Sequence, residues 1–443
     1  MNAEGGAEVE KFDAIVVGAG PAGTAAAATM ARAGLSVVLL ERGEYPGAKN
    51  VMGGVMYGRM AAEVLPEFWL QGAPIERVVV EERVWLATED GAVSLGHRSP
   101  HMAFHPDGCP NAFTVLRAQW DRWFAQKAEE AGAFLVPSTT VEDVLWQDGR
   151  VVGVRTGREE GDLYADVVVL CDGVNSALVQ RARLRDHPVE PHHLALGVKE
   201  VVGLPAEVIE SRFNLEPGQG ATVEIYGAVT RGMSGYGFLY TNRDSVSVGV
   251  GVLVSHLMRT RITPYDLLEG LKRHPLVRPL LAGGETLEYS AHAIPEGGLR
   301  AMPKLYGDGV LVAGDAAMMV NGLHREGSNL AMTAGRLAGE TVIEAKRRGD
   351  FSARTLALYA AKLEESFVLK DLRKYRNLPD LVERRPDLFT TYVELANRAA
   401  HEMLTVDGVP KRDKQRKIWR EVTARRPMWH LVRDLYEVWK AVR

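Results

Sequence analysis

The sequence of 443 residues predicts a doubly wound α/β domain, interlaced with an antiparallel-sheet domain and followed by a helical C-terminal region. Three observations carry this. An apolar run at 12–17, a glycine cluster at 18–23 and an alanine-rich stretch to 33 have the cadence of strand, tight turn and helix. Alternating runs between 195 and 293 read as a second sheet, and from 352 onward the pattern is nearly all helical. With 46% hydrophobic and 25% charged residues and 45 glycines, the chain has the composition of a soluble enzyme-sized body.

Residues 35–40 resume as strand after the first helix, completing a βαβ unit. The mixed segment 77–95 reads as two antiparallel strands turning at Glu89-Asp90-Gly91. Residues 117–131 are amphipathic and helical; 141–146, 151–156 and 166–170 are strands, with a turn at Asp148-Gly149. In the second sheet the clearest runs are 221–226, 237–241 and 246–254, with a helix near 264–273. A buried strand at 309–313 precedes a long helix, 327–347, with alanines and glycines along one face. No repeat or long linker separates these pieces, so the modules interlace. The dinucleotide domain takes 1–75, 112–186 and 296–350, the substrate domain 76–111 and 187–295, and the helical region 351–443.

A net charge of −4 and the lack of any finger, homeodomain or RNA-binding signature argue against nucleic acid as a partner. Two cysteines, Cys109 and Cys171, are too few for an iron–sulfur cluster, and no metal site is predicted. Their scarcity and the acidic first ten residues suggest a reducing cytoplasm. No apolar run approaches the roughly 20 residues of a membrane span; the stretch 310–320 is interrupted by Asp315. Residues 411–443 carry +7, leaving −11 on the preceding 410, and hold Trp419, Trp429 and Trp439. The segment reads either as two helices docking by their tryptophans or as a surface meeting anionic lipid or an acidic partner.

Gly18-Ala19-Gly20-Pro21-Ala22-Gly23 lies between strand and helix, and Glu41 follows 18 residues later at the end of the next strand. The glycines permit a tight turn and let a pyrophosphate approach the helix N-terminus, while Glu41 is placed for a ribose hydroxyl. NAD and FAD both satisfy this fingerprint. The choice rests on Gly314-Asp315 after a distant strand, where the Asp can bind a ribityl chain, and on Gly327-Ser328-Asn329, where a helix N-terminus can stabilise charge on a reduced flavin. Leu116-Arg117 with Trp120-Asp121, and Asp172-Gly173-Val174-Asn175-Ser176, complete a pattern that indicates FAD.

In this order the four elements resemble the flavoprotein superfamily of para-hydroxybenzoate-type hydroxylases, geranylgeranyl reductases and electron transfer flavoprotein–quinone oxidoreductases. Within it the chain most resembles the FixC-type subunit, through the stretches YPGAKNVMGGVMY (45–57), LALGVKE (194–200), FLYTN (238–242) and EYSAH (288–292). The resemblance implies a Rossmann-like FAD domain of the para-hydroxybenzoate hydroxylase type, and adds Arg42, Lys49, Gly53 and Gly54 to the cofactor residues above. It also implies a peripheral subunit on the inner face of the cell membrane. Such a subunit accepts electrons from two electron transfer flavoprotein subunits, in an NADH-oxidising, electron-bifurcating complex, and passes them toward quinone. A separate small ferredoxin-like iron–sulfur subunit would supply the cluster this chain lacks.

Hydroxylases usually follow the Gly-Asp pair with a His and then a Pro near the flavin; Met318 and Gly322 stand there instead. Oxygen activation and prenyl reduction with a nicotinamide are therefore the alternative reading, and a non-catalytic flavin-stabilised scaffold is a third. Candidates for proton or quinone chemistry are His324, in the charged run His324-Arg325-Glu326, and Tyr236 and Tyr240 on a strand. His192-His193 is expected on the surface.

Overall fold

The computed structural model describes residues 11–49 and 53–443. Residues 50–52, within the first of the resemblance motifs, lie outside them.

In chain order the strands are β1 (Lys11–Val17), β2 (Val37–Leu40), β3 (Gly53–Tyr57), β4 (Arg77–Ala87), β5 (Ala92–Arg98), β6 (Ala112–Leu116), β7 (Phe134–Val136), β8 (Val141–Gln147) and β9 (Arg150–Thr156). They continue with β10 (Asp162–Leu170), β11 (Leu194–Gly203), β12 (Gln219–Gly227), β13 (Gly235–Thr241), β14 (Ser245–Leu253), β15 (Glu285–Pro295), β16 (Tyr306–Gly307) and β17 (Val310–Val312). Six helices matter below: α1 (Pro21–Arg32), α2 (Arg117–Glu130), α3 (Ser328–Arg348), α4 (Thr391–Leu404), α5 (Lys411–Arg425) and α6 (Met428–Val442).

The first sheet runs β16-β17-β10-β1-β2-β7, with the β8/β9 hairpin added beside β10. Its pairings from β17 to β7 are parallel, so β1 and β2 are buried on both faces and read as continuous apolar runs. α1 and α3 cross this sheet in close contact. A Cβ at Gly335 would sit 2.0 Å from Ala22 O and one at Gly339 2.9 Å from Ala26 O, which is why small residues line one face of α3.

The second sheet runs β15-β11-β14-β13-β12-β4-β6-β3, with β5 paired to β4. Its junctions are antiparallel except β12·β4, which is parallel. The expectation of a wholly antiparallel sheet fails there because β4 arrives from an earlier excursion of the chain. Buried Arg77 fastens this junction, donating to Asn242 O (2.5 Å), Gln219 O (3.0 Å), Arg243 O (2.9 Å) and Glu210 (2.8 Å).

Alternation sorts the two faces of the second sheet. Ala221, Val223, Ile225, Leu239, Val246, Val248, Val250 and Val252 form a core with Leu267, Leu268 and Leu271 of the helix Pro264–Arg273. The opposite face carries Thr222, Glu224 and Tyr226 on β12, Tyr236, Phe238 and Tyr240 on β13, and Ser247, Gly249 and Gly251 on β14. The small residues of β14 make room for the rings: a Cβ at Gly249 would lie 2.3 Å from Phe238.

Candidate functional site

The glycine turn closes the C-terminal end of β1. Gly18 has φ +98°, and a Cβ there would sit 2.4 Å from Cys171 O; one at Gly23 would sit 1.9 Å from Gly18 O. These two glycines serve close packing. Gly20 differs, since a Cβ there meets nothing within 4 Å. Gly20 caps α1 without any side-chain bond, Pro21 opens the helix, and the first-turn amides of Ala22 and Gly23 stand at its positive end. Glu41 follows β2; its carboxylate accepts from the N–H groups of Ala19 (3.1 Å) and Gly43 (2.7 Å), so it braces the turn from beneath.

Gly314 (φ +68°) brings the turn after β17 against α1, where a Cβ would lie 2.9 Å from Ala22 Cβ. Beside it, burial pushes the Asp315 carboxyl up, partly countered by Arg117. Arg117 opens α2 and forms a buried bidentate pair with Asp121, both contacts 2.7 Å. Asp172, beyond β10, is pushed up to about 6 by burial, restrained by a 2.7 Å bond from Ser176 Oγ and by the charge of Arg42. Gly173 (φ +85°) faces open space. Gly53 meets Ser247 of β14, Gly54 is buried in β3, and Arg42 and Lys49 are exposed. At the other end, Gly327 caps α3 without a side-chain bond; Ser328 begins the helix, and the Oδ1 of buried Asn329 and the Oγ1 of buried Thr333 have no partner.

The aromatic face of the second sheet meets the segment 318–326. Arg325 (φ +55°) pairs with Glu224 and lies 3.4 Å from Glu82. Burial opposes its charge, but Tyr240 and Glu224 hold it protonated. Tyr226 Oη donates to Glu224 (2.7 Å), and its ring lies 5.5 Å from that of Tyr236. Phe238 stacks on Tyr240 at 4.8 Å. Burial pushes the phenols of Tyr57 and Tyr240 up to about 12, and those of Tyr226 and Tyr236 higher, so all four keep their protons at neutral pH. Glu296 sits against this segment, its carboxyl where a Cβ on Gly322 would come within 2.3 Å, and burial pushes it up to about 7.

The chain matches three family models: "FAD dependent oxidoreductase" over residues 13–179, "ETF-QO, ubiquinone-binding" over 194–294 and "ETF-QO/FixC family C-terminal domain" over 378–443. It is 48% identical to Protein FixC of Azorhizobium caulinodans, covering 98% of this chain and 99% of that protein. It is 42% identical to the probable electron transfer flavoprotein-quinone oxidoreductase YdiS of Escherichia coli K12, covering 92% and 94%. The chain belongs to the ETF-QO/FixC family. Among solved structures, a geranylgeranyl bacteriochlorophyll reductase-like protein of Thermoplasma acidophilum superposes with a TM-score of 0.73 at 18% identity, covering 97% of this chain and 99% of that one. The flavin-dependent brominase Bmp2 gives 0.64 at 16%, covering 94% and 100%. Both share the fold.

Like its ETF-QO/FixC relatives, this chain is a FAD-dependent oxidoreductase. The residues present fit that cofactor: Gly20 leaves open the space a diphosphate needs, and the α3 N-terminus offers unpartnered polar atoms of Asn329 and Thr333.

The structure defines the setting of His324, of His192-His193 and of the C-terminal tryptophans. His324 is turned toward the C-terminal helices, its Nε2 2.9 Å from Tyr375 Oη, because the left-handed Arg325 beside it reverses the chain. His192 and His193 are half-buried, and His193 O accepts from Glu296 N–H at 2.8 Å, because they form the tight turn into β11. Of the two readings of the C-terminal tryptophans the structure shows the exposed one: Trp419, Trp429 and Trp439 are 54%, 61% and 48% exposed. Glu296 was not singled out, and Lys199 of β11 and Ser290 and His292 of β15 stood within the motifs 194–200 and 288–292 without a role of their own. Ser290 and His292 are two apart on β15, and pairing of Ser290 with Lys199 and of Lys199 with Gly249 puts all three on the aromatic face.

Proposed function

We propose that this oxidoreductase carries electrons from an electron transfer flavoprotein pair through FAD to membrane quinone, within an NADH-oxidising, electron-bifurcating complex that includes a separate ferredoxin-like iron–sulfur subunit. The observation that carries this reading is the row of protonated phenols and aromatic rings on one face of residues 194–294, the segment matching the ubiquinone-binding model. FAD supplies reversible one- and two-electron transfer when bound.

The chain's own groups do the rest. The turn Gly18–Gly23 and the α1 N-terminus receive the diphosphate, and Glu41 holds that turn in shape or reaches a ribose hydroxyl. Asp315 takes the ribityl hydroxyls, Arg117 and Asp121 fix the wall beside them, and Gly327-Ser328-Asn329 present the α3 N-terminus to the ring. Arg42, Lys49, Gly53, Gly54, Asp172 and Gly173 border the same space. Phe238 and Tyr240 offer an apolar stacking surface to a quinone ring, and the phenols of Tyr236 and Tyr240 donate hydrogen bonds to its carbonyls. Glu224 compensates the charge of Arg325 beside these rings.

The test is anaerobic stopped-flow of the FAD-loaded protein. Reduction should be fast with the reduced flavoprotein pair and slow with NADH alone, and a ubiquinone analogue should reoxidise the flavin. Tyr240→Phe should lower kcat/KM for the quinone by about tenfold while FAD absorbance is kept. Rapid reduction by NADH or NADPH alone, with oxygen uptake and an organic substrate, would return the protein to the monooxygenase reading. Flavin that never changes redox state during turnover of the complex would make it a scaffold.

A further inference from the structure

Apart from Lys199, the buried Arg and Lys side chains among the described residues have bonded partners. Arg77 has four acceptors, Arg117 is doubly bonded to Asp121, and Lys414, 1% exposed, is held by Glu402 O, Thr405 O and Asp407. Lys199 of β11 breaks the pattern. It is only 6% exposed, yet its ammonium has no hydrogen-bond or salt-bridge partner among the described residues. Its neighbour Glu200 points to the opposite face and pairs with Lys272 at 2.8 Å.

The register shows what surrounds it. Across β15 the residue paired with Lys199 is Ser290, whose buried Oγ also lacks a partner; across β14 it is Gly249, which has no side chain. Two residues along β15 on the same face is His292, paired with Gly197. Lys199 thus pairs in register with Ser290, whose Oγ is unpartnered, with His292 two residues along the same face of β15 and Glu288 two residues the other way. Charges reaching them from other elements are mostly positive: Arg117 acts on Lys199 and His292, and Arg42 on His292, while Glu288 of β15 alone favours the ammonium. Burial and Arg117 together bring Lys199 down to about 8 and hold His292 below its usual range. A buried ammonium with no carboxylate or carbonyl bonded to it is unfavourable unless an anion completes the site.

We propose that Lys199, with Ser290 and His292, forms the sheet-side half of the FAD site and binds the anionic diphosphate arm of the cofactor. The chemistry selects that arm: the positive charges that reach Lys199 and His292 are Arg117 and Arg42, which also act on Asp315 and Asp172, and the diphosphate is the part of FAD that carries permanent negative charge. Binding FAD then ties the β11–β15 edge of the second sheet to the dinucleotide domain. This rests on the placement of FAD at the glycine turn.

The experiment measures FAD and ADP dissociation constants and apoprotein melting for the full chain, as wild type, Lys199→Met, Lys199→Arg and Ser290→Ala. Lys199→Met should weaken both FAD and ADP by about tenfold or more while the apoprotein melts at the same or a higher temperature; Lys199→Arg should recover most of the affinity, and Ser290→Ala should lose about threefold. Wild-type affinity should fall between about pH 7 and 9.5, and the Met variant should lose that dependence. A folded Lys199→Met with FAD affinity within about twofold of wild type, or one weakened for FAD but not for ADP, overturns the proposal. Gly20→Val in parallel separates the two claims, because full FAD retention there overturns the placement of FAD itself.

Discussion

Asp434, in the middle of α6, is buried and bonded to Arg385 at 2.8 Å, with Tyr392 Oη donating to its other oxygen at 2.7 Å. The last helix is therefore held to the protein by its polar side. Trp429, Val432, Leu435, Tyr436 and Trp439 face outward, all between 48% and 72% exposed. An apolar patch left in solvent beside a basic helix is the mark of a docking surface. No helix among the described residues is long and apolar enough to cross a membrane.

Replacing Trp429 and Trp439 together by Ser should leave the melting temperature within about 2 °C of wild type, because neither ring is in a core. It should release the protein from anionic vesicles in flotation or from the proposed complex in a pull-down assay. Asp434→Ala should behave oppositely, lowering stability by about 1–3 kcal/mol by leaving Arg385 and Tyr392 short of an acceptor. Retained vesicle binding and complex assembly in the tryptophan variant would show that the patch docks neither.

Gly20→Val and Gly23→Val separate binding from folding. A side chain at Gly20 enters open space, so the variant should fold and lose the yellow FAD spectrum. At Gly23 a Cβ would lie 1.9 Å from Gly18 O, so that variant should fail to fold. Soluble, folded Gly20→Val with a full complement of FAD would move the diphosphate elsewhere.

Arg117→Leu leaves Asp121 buried without its partner and should destabilise the protein by about 3–5 kcal/mol in denaturant titration. Adding Asp121→Leu removes the uncompensated charge, and the double variant should regain much of that loss. A double variant no more stable than the single one would show that the pair acts through packing.

Burial raises Glu296 from an unfolded value near 4.5 to about 7. The folded protein thus holds this proton more tightly than the unfolded chain. Its contribution to stability is complete below about pH 4.5 and is lost as pH rises through about 7, a change on the order of 2–3 kcal/mol. Glu296→Gln should accordingly raise the apoprotein melting temperature at about pH 8.5 and change it little at about pH 5. Equal shifts at both pH values would mean that the carboxyl does not titrate in this range.

The sequence by itself determined the glycine turn, the acid after β2, the Gly-Asp pair and the helix start at 327–329, because each is a local matter of backbone conformation and spacing. Its long motifs also carried the family. The tertiary structure alone decided three things. The parallel β12·β4 junction joins segments about 140 residues apart, and pairing at that separation follows from chain crossing rather than from any local pattern. That Lys199 shares a face with Ser290 and His292 depends on the β11·β15 register, and a slip of one residue would put Ser290 and His292 on the face opposite Lys199. The outward turn of Trp429 and Trp439 was settled by Asp434, since a buried carboxylate that finds Arg385 and Tyr392 fixes the rotation of its helix, whereas composition shows only that the helix has two faces.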